Sequence, residues 1–334
     1  MKLVNGRDVA KAAGVSQSTV SRVMNADIRI SSDTRRKVLA AARELGYDMR
    51  SAAGGWSVGV LIGYRPDDAN GYYTGIFSAV FQELERRGLR MEPIWRTLST
   101  ETEVRPIRGL LVLSHPPPEK LAAAYPLPVV WLNGPSNHLH NICSVNQDSY
   151  KGSEMAVRHL AQLGHRDIRY ISLESIEQEK RKVTRRWHGF LNAMRELGCP
   201  DPEQQGIFFS STGKASQEQV TEAIRQAVRQ GCTALICVNS QYTLKVNAAL
   251  HSLGIRVPEE LSVVDWEFEG VSECLDPPRT TIATDYPKLA EEAMDLLCEM
   301  IEQHETPPDR MVMPHLILRQ STAAVNHSEK GKKQ

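Results

Sequence analysis

The sequence predicts a small all-α helix-turn-helix headpiece followed by an α/β body of two parallel-sheet lobes. Three observations carry that prediction. Residues 1–50 hold short apolar stripes at helical spacing, the second and third opened by a serine; the remainder alternates β-rich runs with amphipathic helical stretches; and positive charge is concentrated in the headpiece.

In the headpiece, "GRDVAKAAG" predicts a helix from about Gly6 to Ala13, with Val9 and Ala10 facing inward and Gly14 able to take the positive φ of a sharp turn. The next segment, "GVSQSTVSRVMN", places Val20, Val23 and Met24 three and four apart on one face of a second helix that Ser16 can cap. Its opposite face shows Gln17, Ser18, Ser21 and Arg22, groups that donate and accept hydrogen bonds and carry one fixed charge. Two short helices joined at a glycine form a helix-turn-helix, whose second helix enters the major groove of DNA. There Gln can pair with adenine, Arg with guanine, and short hydroxyls with phosphates. A third helix follows in "SSDTRRKVLAAARELGY", capped by Ser31 or Ser32, with an apolar stripe of Val38, Leu39, Ala42 and Leu45 and a stop at Gly46.

Charge favours DNA over an ordinary polar surface helix. Residues 1–50 carry ten Lys or Arg against five acids, so the headpiece stands at +5 in a chain whose formal total is zero. The six cysteines lack C-x-x-C spacing and read as reduced thiols of a cytoplasmic protein. No apolar export segment and no run of 18 apolar residues is present, so neither secretion nor a membrane partner is expected.

The headpiece covers 1–47 and "DMRSAAGGWS" reads as a linker, 48–57. From 58 to 325 runs such as "VGVLIG", "GLLVLS", "LPVVWLN", "DIRYISL", "TALICVN" and "LSVVDW" alternate with helical stretches, the pattern of β-α-β units. The strands suffice for two sheets, giving one lobe of about 58–148 and 285–308 and a second of about 149–284 and 309–325, before a polar tail at 326–334. In open α/β sheets, ligands bind at the carboxyl ends of strands.

No catalytic machinery is visible, and no cofactor or metal is expected. "GWSVG" matches a nucleophile elbow in letters, but the apolar strand follows Ser57 instead of preceding it. "STGKAS" lacks the first glycine of a phosphate loop. His159 and His165 are six apart without further ligands and read as surface histidines.

Three ordered segments carry a resemblance over nearly the whole chain: "DVAKAAGVSQSTVSRVMN", "DSYKGSEMAVRHLAQLGHRDIRYIS", and "LGIRVPEELSVVDWE" followed by "PPRTTI". The sequence resembles the lactose/galactose repressor family of bacterial transcription regulators. That resemblance implies a homodimer whose headpieces read a pseudo-palindromic double-stranded DNA operator, with a periplasmic-binding-protein-like body that closes on a small effector, a sugar being the expected class. It implies base contacts from Gln17, Ser18 and Arg22 and phosphate contacts from Ser16, Thr19, Ser21 and Asn25. For the effector it implies Arg186 in "RWHG", Asn239, Glu267, and Tyr72 and Tyr73, whose rings offer faces for a sugar.

Departures from the family pattern matter as much. Ser240 stands where an Asp is usual, Asp265 where a Gly is usual, and Phe268 replaces a second Asp, so the polar wall of this lobe is altered. The segment from Trp95 to Gly109 is short for a full helix between two strands. The linker is about six residues shorter than the family's and has neither Pro nor Leu between Tyr47 and Val58. Gly54 and Gly55 oppose a hinge helix, so no minor-groove wedge and weak effector coupling are expected. The reading is therefore a sugar-controlled repressor; the alternative is a cytoplasmic sugar-binding protein with weakened operator recognition, and an α/β enzyme is disfavoured by the missing catalytic set.

Overall fold

The structure, a computed structural model, describes residues 5–24, 30–45, 47, 57–63, 71–95, 107–113, 118–137, 139–172, 185–209, 215–238 and 242–325. Asn25, Asn239, Ser240, linker residues 48–56, the segment 96–106 and the tail 326–334 lie outside the described residues.

Three helices form the headpiece: α1 (Gly6–Ala13), α2 (Gln17–Met24) and α3 (Ser32–Glu44). Each start has a local cause. The Asn5 side chain accepts from the Arg7 and Asp8 backbone N–H groups while Asp8 accepts from Asn5, a reciprocal cap that satisfies donors a helix start would otherwise leave open. Ser16 Oγ accepts from Thr19 N at 3.0 Å, and Ser31 Oγ accepts from Thr34 N at 3.3 Å. Gly14, at φ 67°, makes the left-handed turn between α1 and α2. Val9, Ala10, Val20, Val23, Met24, Val38, Ala41 and Ala42 make the small core, each larger side chain contributing on the order of 1.5–3 kcal/mol by leaving water. Leu45, expected on the inner stripe, is exposed, because α3 ends at Glu44 and the chain turns away; Tyr47 packs against the core in its stead.

After the headpiece come β1 (Ser57–Ile62), α4 (Gly71–Arg86), β2 (Arg90–Trp95), β3 (Ile107–Leu113), α5 (Pro118–Ala124), β4 (Val129–Leu132) and β5 (Ile142–Gln147). Ser57, assigned to the linker from sequence, is the buried first residue of β1. Then follow α6 (Ser149–Gln162), β6 (Ile168–Ser172), α7 (Arg186–Glu196), β7 (Gly206–Phe208), α8 (Gln217–Arg229), β8 (Ala234–Cys237), α9 (Thr243–Ser252), β9 (Ser262–Trp266), β10 (Thr280–Ala283), α10 (Tyr286–Gln303), β11 (Arg310–Val312) and β12 (His315–Ile317).

Two six-stranded sheets result, ordered β11-β5-β4-β3-β1-β2 and β12-β10-β9-β8-β6-β7. Pairing is parallel along β2-β1-β3-β4-β5 and β7-β6-β8-β9-β10, and β12 closes its edge antiparallel to β10. β1, β5 and β9 are buried along their whole length, as strands covered on both faces are, and β5 and β9 carry buried polar residues, Asn146, Gln147 and Asp265 among them.

The chain divides into two compact units, Met1–Asp67 with Ile76–Val145 and Pro287–Arg310, and Asp68–Gly75 with Asn146–Tyr286 and Met311–Gln334. In the second unit Tyr170, Trp187, Phe190 and Phe208 form an aromatic cluster with ring centroids 5.0–5.9 Å apart. Gly189 lets α7 lie tightly on α6: a Cβ there would stand 2.1 Å from the Tyr150 carbonyl oxygen. The sequence reading of His165 as a surface residue is corrected. It is 3% exposed, and its ring nitrogens bond Thr233 Oγ1, Ser262 Oγ and the Ala323 carbonyl, each at 3.0 Å, tying β9 to the C-terminal segment.

Candidate functional site

The exposed face of α2 carries Gln17, Ser18, Ser21 and Arg22, opposite the buried Val20, Val23 and Met24. Ser16, the cap, shares hydrogen bonds with Ser18 Oγ at 2.7 Å and Thr19 Oγ1 at 2.8 Å, so three hydroxyls are tied into one cluster at the helix start. Arg7 Nε of α1 donates to Gln17 Oε1 at 3.3 Å. Arg22 enters no ion pair among the described residues, leaving its guanidinium available to an external anion or base edge. This is a flat donor-acceptor surface on a rigid helix, the shape that a major groove admits.

A second polar group lies in the other compact unit, at the carboxyl edge of its sheet. Val238 follows β8, Trp266 ends β9, and Tyr286 comes three residues after β10. Arg186 opens α7; its Nη1 donates to the Val238 carbonyl at 2.8 Å and its guanidinium carbon lies 5.1 Å from the Trp266 ring centre. Tyr72 packs edge-on against Tyr73 and Tyr286, centroids 5.6 and 5.8 Å away. Burial pushes the Tyr72 phenol well above its ordinary value, with Tyr286 and Tyr73 adding to the rise and the Arg186 charge opposing it, so it stays a neutral hydroxyl.

Three polar atoms of this wall are buried without a hydrogen-bond partner: Arg186 Nε, Tyr72 Oη and Trp266 Nε1. An unmade hydrogen bond on a buried donor costs roughly 1–3 kcal/mol, so a cluster of them marks a place where a ligand's acceptors would be favoured.

Glu267 sits differently from the rest. Arg319 grips both its carboxylate oxygens, Nη1 to Oε2 at 2.9 Å and Nη2 to Oε1 at 3.2 Å, and the Thr281 hydroxyl also donates to it. The structure thus brings Tyr72, Tyr73 and Arg186 together and commits Glu267 to an internal ion pair. Trp266 and Tyr286 belong to the wall and were missed from sequence, where the signal was an aromatic residue at or just past the end of a strand.

Beside the wall, Asp265 and Arg279 form an ion pair of 3.5 Å between Oδ2 and Nε, each side chain 1% exposed. Arg279 Nη2 also donates to Asn247 Oδ1 at 2.7 Å. Burial raises the Asp265 carboxyl from 3.8 to about 6, against the lowering effect of Arg279. A separate cavity of about 480 Å³ in the first unit, lined by Leu127, His140, Met300 and His304 among others, holds none of the residues singled out from sequence. Among the described residues no cluster of His, Cys, Asp or Glu could hold a metal ion, and no helix is long and apolar enough to cross a membrane.

Family models match two segments of the chain. The model for bacterial regulatory proteins of the lacI family matches residues 7–49, and that for a periplasmic binding protein-like domain matches 157–322. The HTH-type transcriptional repressor PurR of Pasteurella multocida is 30% identical, the match covering 94% of this chain and 97% of that protein. The chain belongs to the lacI family of bacterial regulatory proteins. This LacI-family regulator is also 28% identical to the transcriptional regulator MalR of Streptomyces coelicolor, over 95% of this chain and 96% of the relative.

Its fold is shared with the CelR–cellobiose complex (TM-score 0.64, 23% identity, 95% and 99% of the two chains). The lac repressor dimer bound to operator and the anti-inducer ONPF also shares it (TM-score 0.60, 24% identity, 97% and 100%). The regulator is a DNA-binding transcription factor with a helix-turn-helix headpiece and a periplasmic-binding-protein-like body. Asp265, a departure from the family pattern, is partnered by Arg279 in the core of one unit.

Proposed function

We propose that this regulator is a cytoplasmic repressor that binds a pseudo-palindromic operator as a homodimer and responds to a sugar. Gln17, Ser18 and Arg22 read base edges, and Ser16, Thr19, Ser21 and Asn25 hold phosphates. Tyr72, Tyr73 and Arg186, with Trp266, receive the effector; Asn239 is assigned there by the family resemblance alone. Glu267 acts indirectly, by holding Arg319 beside Thr281. The protein carries out no catalysis.

The observation that supports the effector half best is the group of buried, partnerless atoms on Arg186, Tyr72 and Trp266. All three can donate, the aromatic rings beside them offer apolar faces, and a polyhydroxylated ring presents acceptors and C–H faces together. The cellobiose of the CelR structure and the sucrose of the CcpA structure from Weissella paramesenteroides are effectors of that chemistry in proteins of this fold. The linker sequence, with Gly54 and Gly55, supports weak coupling between effector and operator.

The test joins two measurements on the full chain. Duplexes selected from a random library should share a two-fold-related motif, and a panel of mono- and disaccharides should contain one that raises Tm and shifts affinity for that motif. Selection of no motif would overturn the DNA half; a motif without any stabilising sugar would overturn the effector half.

A further inference from the structure

The turn between α1 and α2 contains a contact that bears on which base the headpiece prefers. Arg7 Nε donates to the side-chain carbonyl Oε1 of Gln17 at 3.3 Å, across ten residues of sequence. Chemistry alone orients that amide. A guanidinium has only donors, so the Gln17 atom that faces Arg7 has to be the oxygen and not the NH₂ group.

Both partners are held from behind. The Arg7 backbone N–H is bound by Asn5 Oδ1 at 2.9 Å within the α1 cap. Gln17 is the first residue of α2, directly after the Ser16 that caps that helix at 3.0 Å from Thr19 N. The contact therefore joins two fixed helix starts, and both side chains are exposed.

We infer that Arg7 is a positioning residue for base readout: by engaging Gln17 Oε1 it holds the amide oxygen toward α1 and biases the amide to read through its Nε2 hydrogens, which favours guanine over adenine at the base Gln17 reads. The inference rests on the assignment of Gln17 to base contact. Adenine needs one donor and one acceptor from a glutamine, to pair its N7 and its N6 amino group. Oε1 has a second lone pair, so Arg7 competes with the adenine N6 amino group for it without filling it, whereas the Nε2 hydrogens meet no such competition and guanine offers two acceptors, O6 and N7, on one edge. The exchange excludes water as the groove closes on the pair, which strengthens the Arg7–Gln17 hydrogen bond at the moment of reading.

The experiment uses the full-length protein and a randomised duplex library, comparing the native chain with Gln17→Ala, Arg7→Met and Arg7→Lys, each checked for helix content and Tm. Gln17→Ala identifies the operator position that loses its preference. At that position the native protein should favour guanine. Arg7→Met, which keeps the aliphatic stem and loses every donor, should move the preference toward adenine by about tenfold while other positions stay unchanged. Arg7→Lys should retain guanine. Native preference for adenine at that position would overturn the inference. So would an Arg7→Met loss that is uniform over all sequences, which is the behaviour of a phosphate contact, or an unchanged profile in Gln17→Ala. Enrichment of no sequence by the native protein would instead overturn the DNA-reading assignment itself.

Discussion

The two polar regions of this regulator obey opposite rules. On α2 the polar side chains are exposed and already served: Ser16, Ser18 and Thr19 bond one another, Gln17 accepts from Arg7, and water can complete the rest. In the second unit, the polar atoms of Arg186, Tyr72 and Trp266 are buried and unserved. A surface that reads DNA has to be soluble without it, so it costs little when empty; a buried wall without its partner carries an unmet desolvation cost that a ligand can relieve. Substitutions should accordingly be mild for folding in the headpiece and severe in the body.

The largest effect is expected at Asp265 and Arg279. Removing one partner leaves a lone charge at 1% exposure, so Arg279→Ala should cost roughly 3–5 kcal/mol of stability by denaturant unfolding. The double replacement Asp265→Gly with Arg279→Leu should recover much of that loss, because an apolar pair has no charge to desolvate. Equal losses for the single and double variants would mean that the pair does not act as a unit.

The same pair sets a pH signature. The folded Asp265 carboxyl titrates near 6, above its ordinary 3.8, so the native state binds the proton more readily. Its contribution to stability is fully present below about 3.8 and is lost as pH rises through about 6. Relative to Asp265→Asn, the native protein should therefore lose stability between those values and run parallel above them.

Next in size is Arg186→Ala. For a sugar that binds the native protein, supplied at about a hundredfold over its Kd, the stabilisation of about 2.7 kcal/mol should vanish, with operator affinity unchanged. A variant that keeps the ligand-induced Tm rise would remove Arg186 from the effector wall. Arg22→Ala should lower affinity for the selected operator by roughly 1–3 kcal/mol and flatten preference at one base pair per half-site. A uniform loss over all sequences would make Arg22 a phosphate contact.

The smallest effect is expected at Ser16→Ala. Loss of the α2 cap should cost about 1 kcal/mol in headpiece stability, read by hydrogen exchange of the α2 amides. No change there would show that the hydroxyl cluster around Ser18 and Thr19 caps the helix without Ser16.

The headpiece was legible because its determinants are local. Caps, a turn glycine and side chains three or four apart lie within one or two helical turns of one another, so Ser16, Gly14, Val20 and Val23 declare their positions in a string of letters. Alternating strands and helices likewise predict parallel sheets, since a strand covered on both faces, such as β1, is rich in apolar residues for a reason that acts residue by residue. Asp265 was visible as a departure, but its partner Arg279 was not, because fourteen residues separate them and only the fold brings them together.

What only the tertiary structure decided is which polar groups meet. From sequence, Glu267 and Arg186 were both assigned to an effector; the fold gives Glu267 to Arg319, fifty-two residues away, and leaves Arg186 with one backbone carbonyl and an unpaired Nε. His165 seemed a surface residue until β9 and the C-terminal segment closed around it. Composition and periodicity report how each residue prefers to face water or core. Hydrogen-bond partnership depends instead on distances of about 3 Å between chain segments remote in sequence, and those exist only once the sheets have formed.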